Sequence, residues 1–265
     1  TGAAVRLNPQ RNPAKANDMV KGIFFDLGGT LLSYTQMAAA NADLMDVLAA
    51  RLELETATVA HHYRLATREM DRRYAEKPFY LFRDYFEAIF SECLDRLERP
   101  RMRADFDRWY EEHVREKMLA CLRPKDDCHS TLDRLQGMGL YLSAVSNIDE
   151  DMLHPLIERE RLNTWLTHWT SSEAARSCKP DRRFFEVALE KSGLSADEVV
   201  FVGDSLEQDI LGAHALGMTT VLIADHHEPA PMHVGRDAPD PDHTISRLSE
   251  LPGLVTTLGV AAAGS

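Results

Sequence analysis

The stretch Val20-Lys21-Gly22-Ile23-Phe24-Phe25-Asp26-Leu27-Gly28-Gly29-Thr30-Leu31-Leu32 limits the folds open to this chain more than any other. A short apolar run closes on a carboxylate, and two glycines and a threonine follow almost at once. The run is too short for a helix and is bounded by turn residues, so it reads as a buried strand of a parallel sheet. Open α/β sheets bind ligands at the carboxyl ends of their strands, which would put Asp26 on the floor of a crevice. Gly28 and Gly29 allow a tight turn and a close backbone approach to a ligand. An acid at this point serves equally as a helix N-cap, so the stretch alone does not separate chemistry from architecture.

Three later segments bear on that choice. Leu140 to Asn147 is a second apolar strand ending in small polar residues, Ser146 and Asn147. Ser177-Cys178-Lys179-Pro180-Asp181 places a lysine just before a helix start, with Pro180 near its first turn. Val199 to Asp209 is a third strand ending in Asp204, with Asp209 about one helical turn further on. Taken in order, the four segments resemble the four motifs of the haloacid dehalogenase-like superfamily, over about Met19 to Ile223.

Strand and helix signals alternate outside one insertion, which predicts an α/β fold: a doubly wound, Rossmann-like parallel sheet with helices on both faces. From Tyr34 to Leu122 the periodicity turns helical instead, over Ala38–Leu54, Thr58–Lys77, Phe79–Leu97 and Ala104–Leu122, with Pro78 and Pro100 as breaks. By resemblance this insertion is a helical cap that closes over the site and selects substrate. The expected organisation is thus a flexible leader at 1–18, a core at 19–33 and 123–265, and a cap at 34–122. Met19 reads as a native start, with the residues before it an extension. Further strands are expected at Trp165–Thr170 and Thr219–Ala224, helices at Pro124–Gln136, Asp149–Arg161 and Leu206–Leu216, an irregular loop at Asp225–His243, and a last short helix marked by Ile245, Leu248 and Leu251. The Glu/Arg-rich run Leu94–Arg108 reads as a solvated helix face.

Composition narrows the partners. The 42 acidic and 30 basic residues leave a net charge of −12, which disfavours nucleic acid and makes any anion site depend on local cations. Cys93, Cys121, Cys128 and Cys178 form no Cys-x-x-Cys pair and are too few for a disulfide framework, which favours a reducing cytoplasm. No apolar run reaches membrane-spanning length.

A phosphate monoester resists attack because its anionic oxygens repel a nucleophile, so a site must fix the nucleophile and neutralise charge. The resemblance implies an Mg²⁺-dependent phosphatase acting on a small phosphorylated metabolite through an aspartyl-phosphate at Asp26. Mg²⁺ would be held by Asp26, the Gly28 carbonyl and Asp204, with Asp209 behind them; hard oxygen ligands suit that ion. Thr30, Ser146, Asn147 and Lys179 would bind phosphoryl oxygens, and Lys179 would add fixed positive charge. For Asp204 and Asp209 the architectural alternative is helix capping, and for Lys179 a solvated surface position.

One position departs from the pattern. Superfamily phosphatases usually carry a second Asp two residues after the nucleophile, as general acid and base, where this chain has Gly28. Loss of such a group typically costs about 10²–10⁴-fold in rate. Three readings follow. A proton shuttle is borrowed from elsewhere, with His61, His62, His113 and Glu87 as candidates. Alternatively, the reaction is another of the family, such as carbon–phosphorus cleavage, for which a cap lysine would have to be Lys77 or Lys117. Or the domain binds a ligand or protein and catalyses weakly. Dehalogenation fits poorly, because that branch needs no metal and lacks the acidic Gly203-Asp204-Ser205 segment. His226, His227, His233 and His243 lack the helical spacing of a zinc site, and Cys178 has no histidine partner in prospect, so it reads as a small buried residue.

Overall fold

The computed structural model describes residues 19–99, 105–224 and 234–260. Its main sheet has six parallel strands in the order β5-β4-β1-β6-β7-β8. These are β1 (Gly22–Phe25), β4 (Tyr141–Ser146), β5 (His168–Ser171), β6 (Val199–Gly203), β7 (Thr219–Ile223) and β8 (His243–Ile245). Successive side chains of a strand point to opposite faces, and here both faces are covered. Ile23 and Phe25 of β1, Leu142 and Ala144 of β4, and Val200 and Val202 of β6 join one apolar cluster. Phe24, Val145, Val199 and Phe201 join the cluster on the other side.

Helices α6 (Cys128–Gly137), α7 (Glu150–Arg159) and α11 (Leu251–Leu258) cover the first face. Helices α9 (Arg182–Ser192) and α10 (Leu211–Leu216) cover the second with Phe184, Phe185, Ala188 and Ala213. A fully buried Phe or Leu is worth about 1.5–3 kcal/mol, so burial on both faces makes β1 the anchor of the sheet. The strand order reverses at β1, and ligand crevices in open α/β sheets lie at such a switch point.

Between β1 and β4 the chain leaves the sheet along β2 (Leu32–Ser33) and returns along β3 (Arg123–Pro124), paired antiparallel. In between run α1 (Met37–Leu52), α2 (Thr56–Ala75), α3 (Phe82–Arg96), α4 (Phe106–Trp109), a π-helical turn (Tyr110–Arg115) and α5 (Glu116–Cys121). They bury an apolar cluster of their own, in which the Phe90 and Trp109 rings stack at 4.6 Å.

The structure corrects several expectations. His243 and Ile245 belong to β8 rather than to a loop and a helix; a three-residue edge strand shows too little alternation to be read. The strand expected at Trp165–Thr170 is His168–Ser171, because Leu162–Thr164 forms a 3₁₀ turn that Trp165 closes. The helix expected from Pro124 starts at Cys128, since Pro124 is in β3. In the run from Leu94, α3 stops at Arg96 and Leu94 and Leu97 are buried, so its first part is not a solvated face. The leader at 1–18, Pro100 and residues 225–233 with His226, His227 and His233 lie outside the described residues. Among the described residues no helix is long and apolar enough to cross a membrane.

Candidate active site

Two strand ends, β1 and β4, and the segments that follow β5 and β6 converge here. Asp26 extends β1 by one residue and its N–H donates to the Val202 carbonyl at 2.9 Å, which holds its backbone against β6. Ser146 closes β4, and its hydroxyl donates to Asp26 Oδ1 at 2.9 Å. Lys179, between α8 (Ser172–Ala175) and α9, donates from Nζ to Asp26 Oδ1 at 2.6 Å and to Asp209 Oδ1 at 2.6 Å. Asp209 lies on a π-helical turn (Leu206–Ile210) after β6, where its Oδ2 accepts the Ser205 N–H at 3.0 Å.

The electrostatics follow from burial. Lys179 is 5 % exposed. Burial alone would strip charge from its ammonium, but Asp209 and Asp26 outweigh that and raise its pKa. Asp209 is pushed up to about 6 by burial first, with Asp26 adding to the shift and Lys179 opposing it. Asp204 stands well above the carboxylate range because of lost hydration and then the charges of Asp26 and Asp209. One cation therefore faces three acids, and the surplus negative charge invites a second cation.

Asp26, Asp204 and Asp209 each offer an oxygen within 4.8 Å of the others, the one group of this kind among the described residues. Such an all-oxygen donor set suits a hard divalent ion. Thr30 is fully buried with no hydrogen-bond partner for its Oγ1 among the described residues, so the loop after Asp26 holds a polar atom that a ligand oxygen would satisfy.

The glycines leave room for these acids. A Cβ on Gly203 would collide with the Asp209 carboxylate, and one on Gly29 (φ 74°) with Asp204 Oδ2. A Cβ on Gly28 would overlap the Tyr34 hydroxyl and lie 2.9 Å from Tyr34 Cζ.

A family model described as haloacid dehalogenase-like hydrolase matches residues 20–217. The chain belongs to that family. This hydrolase is 28 % identical over 247 residues to a ribulose-1,5-bisphosphate 5-phosphatase of Halopiger xanaduensis, covering 90 % of this chain and 100 % of the relative. It is 26 % identical over 242 residues to an (S)-2-haloacid dehalogenase 4A of Burkholderia cepacia, covering 88 % and 94 %. The fold is shared with a HAD phosphatase from Thermococcus onnurineus at a TM-score of 0.64 and 22 % identity, covering 89 % of this chain and 98 % of that one. Relatives of the hydrolase thus carry names of two reactions.

Asn147 spans two neighbours. Its Oδ1 accepts the Lys179 N–H at 2.7 Å, and its Nδ2 donates to the Lys179 carbonyl at 3.2 Å and to Gln208 Oε1 at 3.3 Å. It thereby clamps the lysine's backbone. Of the candidate proton shuttles, the His61 and His62 rings meet each other on α2, 5.3 Å apart, and His113 stands beside Glu112. Glu87 lies on α3, and no described contact of these four reaches Asp26. Lys117 pairs with Asp43 at 3.1 Å, and Lys77 covers the Tyr74 ring. His243 sits in β8, away from any described metal-ligand group. Cys178 is buried, and burial pushes its thiol up to about 11, which leaves it inert near neutral pH.

Three features had no sequence signal. Tyr34 reaches back over Gly28, Gln208 props Asn147, and Asp149 caps α3 from across the chain. Each is a tertiary contact between residues whose own neighbours in sequence are unremarkable in pattern. Beside Lys179 lies a cavity of about 250 Å³, lined by Tyr74, Lys77, Tyr80, Gln208 and Arg236 among others.

Proposed function

We propose that this hydrolase is an Mg²⁺-dependent phosphatase for a small phosphorylated metabolite, working through an aspartyl-phosphate at Asp26. The observation that carries the reading is Lys179 Nζ bridging Asp26 and Asp209 at 2.6 Å each, with Asp204 completing the acidic group. Both donors take Asp26 Oδ1, which orients Oδ2 as the attacking oxygen. Lys179 neutralises charge building on the phosphoryl group, while Ser146 and Thr30 present hydroxyls to it. Asp26, the Gly28 carbonyl and Asp204 would hold Mg²⁺, which supplies charge neutralisation at the phosphoryl oxygens when bound. Asp209 keeps Lys179 in place from behind.

Residues 34–122 serve in this reading as the cap over a small anionic substrate; the cavity beside Lys179 has Lys77 and Arg236 on its wall, and Glu76 and Asp181 as well. The sugar bisphosphate named for the Halopiger relative is of that class. Displacing a halide from carbon needs no cation, so three clustered acids would be an electrostatic burden without a use; this disfavours the reaction named for the Burkholderia relative. A weakly catalytic binding domain remains the competing reading, favoured by Gly28 alone.

The deciding experiment is turnover of p-nitrophenyl phosphate with and without Mg²⁺, beside Asp26→Asn. Metal-dependent release lost in the variant supports the phosphatase. No turnover by the wild type across a panel of phosphate esters favours the binding domain.

A further inference from the structure

A departing alkoxide needs a proton, and Gly28 has none to give. The space where a side chain at position 28 would project is filled by Tyr34. An ideal Cβ on Gly28 would meet the Tyr34 hydroxyl first, at about the separation that covalent geometry sets between a carboxylate oxygen and its own Cβ. Tyr34 Cζ and Cε1 follow at 2.9 and 3.1 Å, and Tyr34 Cε2 lies 2.8 Å from the Cβ position of Gly29. The same Gly29 position borders Asp204, whose Cγ would be 2.6 Å away. The ring therefore lies across both glycines, with its hydroxyl against Gly28, two positions after the nucleophile in the chain, and its Cε2 edge at the Gly29 position that Asp204 also borders.

The placement is held from three sides. The ring packs against the apolar cluster under the sheet. The preceding residues, Leu32 and Ser33, pair with Pro124 and Arg123, and the Tyr34 carbonyl accepts the Met37 N–H at 2.8 Å where α1 begins. Tyr34 is half-buried, which leaves it within reach of a ligand.

We propose that Tyr34 is the proton donor to the leaving group, standing in for the carboxylic acid absent at position 28. The assignment rests on the aspartyl-phosphate reading above. In the first step an Asp26 oxygen forms a bond to phosphorus while the ester P–O bond breaks. The electron pair of that bond passes to the leaving oxygen, which takes the Tyr34 proton. In the second step water attacks phosphorus and the bond to Asp26 breaks, with the water's proton returning to the Tyr34 phenolate. Ester and water become alcohol and phosphate, and both residues are restored. A phenol of pKa about 10 is acidic enough to protonate an alkoxide as it forms. A nitrophenolate is a weaker base than the Tyr34 phenolate and departs without help.

That contrast gives the test. Single-turnover rates are measured for wild type and Tyr34→Phe with p-nitrophenyl phosphate and with glycerol 2-phosphate. In the variant, alcohol release from the alkyl ester is expected to fall about 10²-fold, and nitrophenolate release to change no more than a few-fold. An equal loss on both esters, or none on either, overturns the assignment while leaving the phosphatase reading intact. Should Tyr34→Phe not fold, the wild type decides alone across a series of aryl phosphates. A shallow dependence on leaving-group pKa supports the donor, and a steep one overturns it. Absence of wild-type turnover on every ester overturns the phosphatase reading and this assignment together.

Discussion

Asp149, three residues beyond the end of β4, caps a helix that is not its own: its Oδ1 accepts the Phe82 N–H and its Oδ2 the Arg83 N–H, both at 2.8 Å. These are the first two residues of α3, whose own N-cap, Leu81, makes no side-chain bond. A carboxylate there meets two orphan donors and the positive end of the helix dipole. It also joins the helical insertion to the segment that follows Ser146 at the end of β4.

Burial nonetheless pushes Asp149 up to about 6, against the pull of those two donors, with Asp151 and Glu173 adding to the rise. The native protein thus binds a proton at a pH where the unfolded chain does not. Stability from this group is full below the unfolded value and is lost as pH rises through about 6. Compared with Asp149→Asn, which cannot titrate, the wild type should gain up to about 2 kcal/mol between pH 7 and pH 4. Denaturant unfolding of both proteins across that range measures the gap; a gap moving the other way would mean that the cap bonds outweigh burial.

Lys179→Met removes the cation from a buried group of three acids. Breaking one partner out of a buried ion pair typically costs about 3–5 kcal/mol. The remaining carboxylates can shed their repulsion only by taking up protons, so the variant's stability should fall as pH rises. The deficit against wild type is expected to be largest near pH 8 and smaller near pH 5. Turnover should drop at least about 10²-fold, as for other fixed charges at a reacting centre. Melting temperatures that fall by the same amount at both pH values would show that the lysine is not compensating these acids.

If Asp204 and Asp26 hold a cation, Mg²⁺ should stabilise the folded chain whether or not substrate is present. Binding at a hundred times the dissociation constant adds about 2.7 kcal/mol, readable as a rise in melting temperature. Asp204→Asn should lose most of that rise, whereas Asp209→Asn should keep part of it, because Asp209 is already engaged by Lys179 and the Ser205 N–H. Equal rises in wild type and Asp204→Asn would remove Asp204 from the ion's ligands.

The strands bearing Asp26, Ser146 and Asp204 were readable because a parallel strand buried on both faces is an apolar run, and its end is marked where polar residues begin. Lys179 was readable from Pro180 and Asp181, which announce α9; the Asp181 carboxylate does cap it, accepting the Arg183 N–H at 2.8 Å. What stayed hidden was set by contacts between distant segments. Nothing near Asp149 signals that it will cap α3, 66 residues earlier in the chain. Tyr34 read only as the point where the texture changes, because periodicity reports which face of an element is buried and not where a loop side chain folds back. The edge strand β8 escaped for a simpler reason: with His243 and Ile245 buried around Thr244, it holds a single period of alternation.

A carboxylate introduced at position 28 would test what Tyr34 does there. From the sequence alone, Gly28→Asp should raise activity wherever there is room, and the structure places the Tyr34 ring in that room. Gly28 has no positive φ to forbid a side chain, so Tyr34 is the obstacle. Gly28→Asp by itself is therefore expected to cost about 1–3 kcal/mol from overpacking and to turn over alkyl phosphates more slowly than wild type. Gly28→Asp combined with Tyr34→Ala should recover the melting temperature and exceed either single variant in alkyl phosphate turnover, since the new acid then has both space and a leaving group to protonate. A single Gly28→Asp variant that is as stable as wild type and faster would mean that Tyr34 swings aside at little cost and that its position over the two glycines is not held by the packing beneath it.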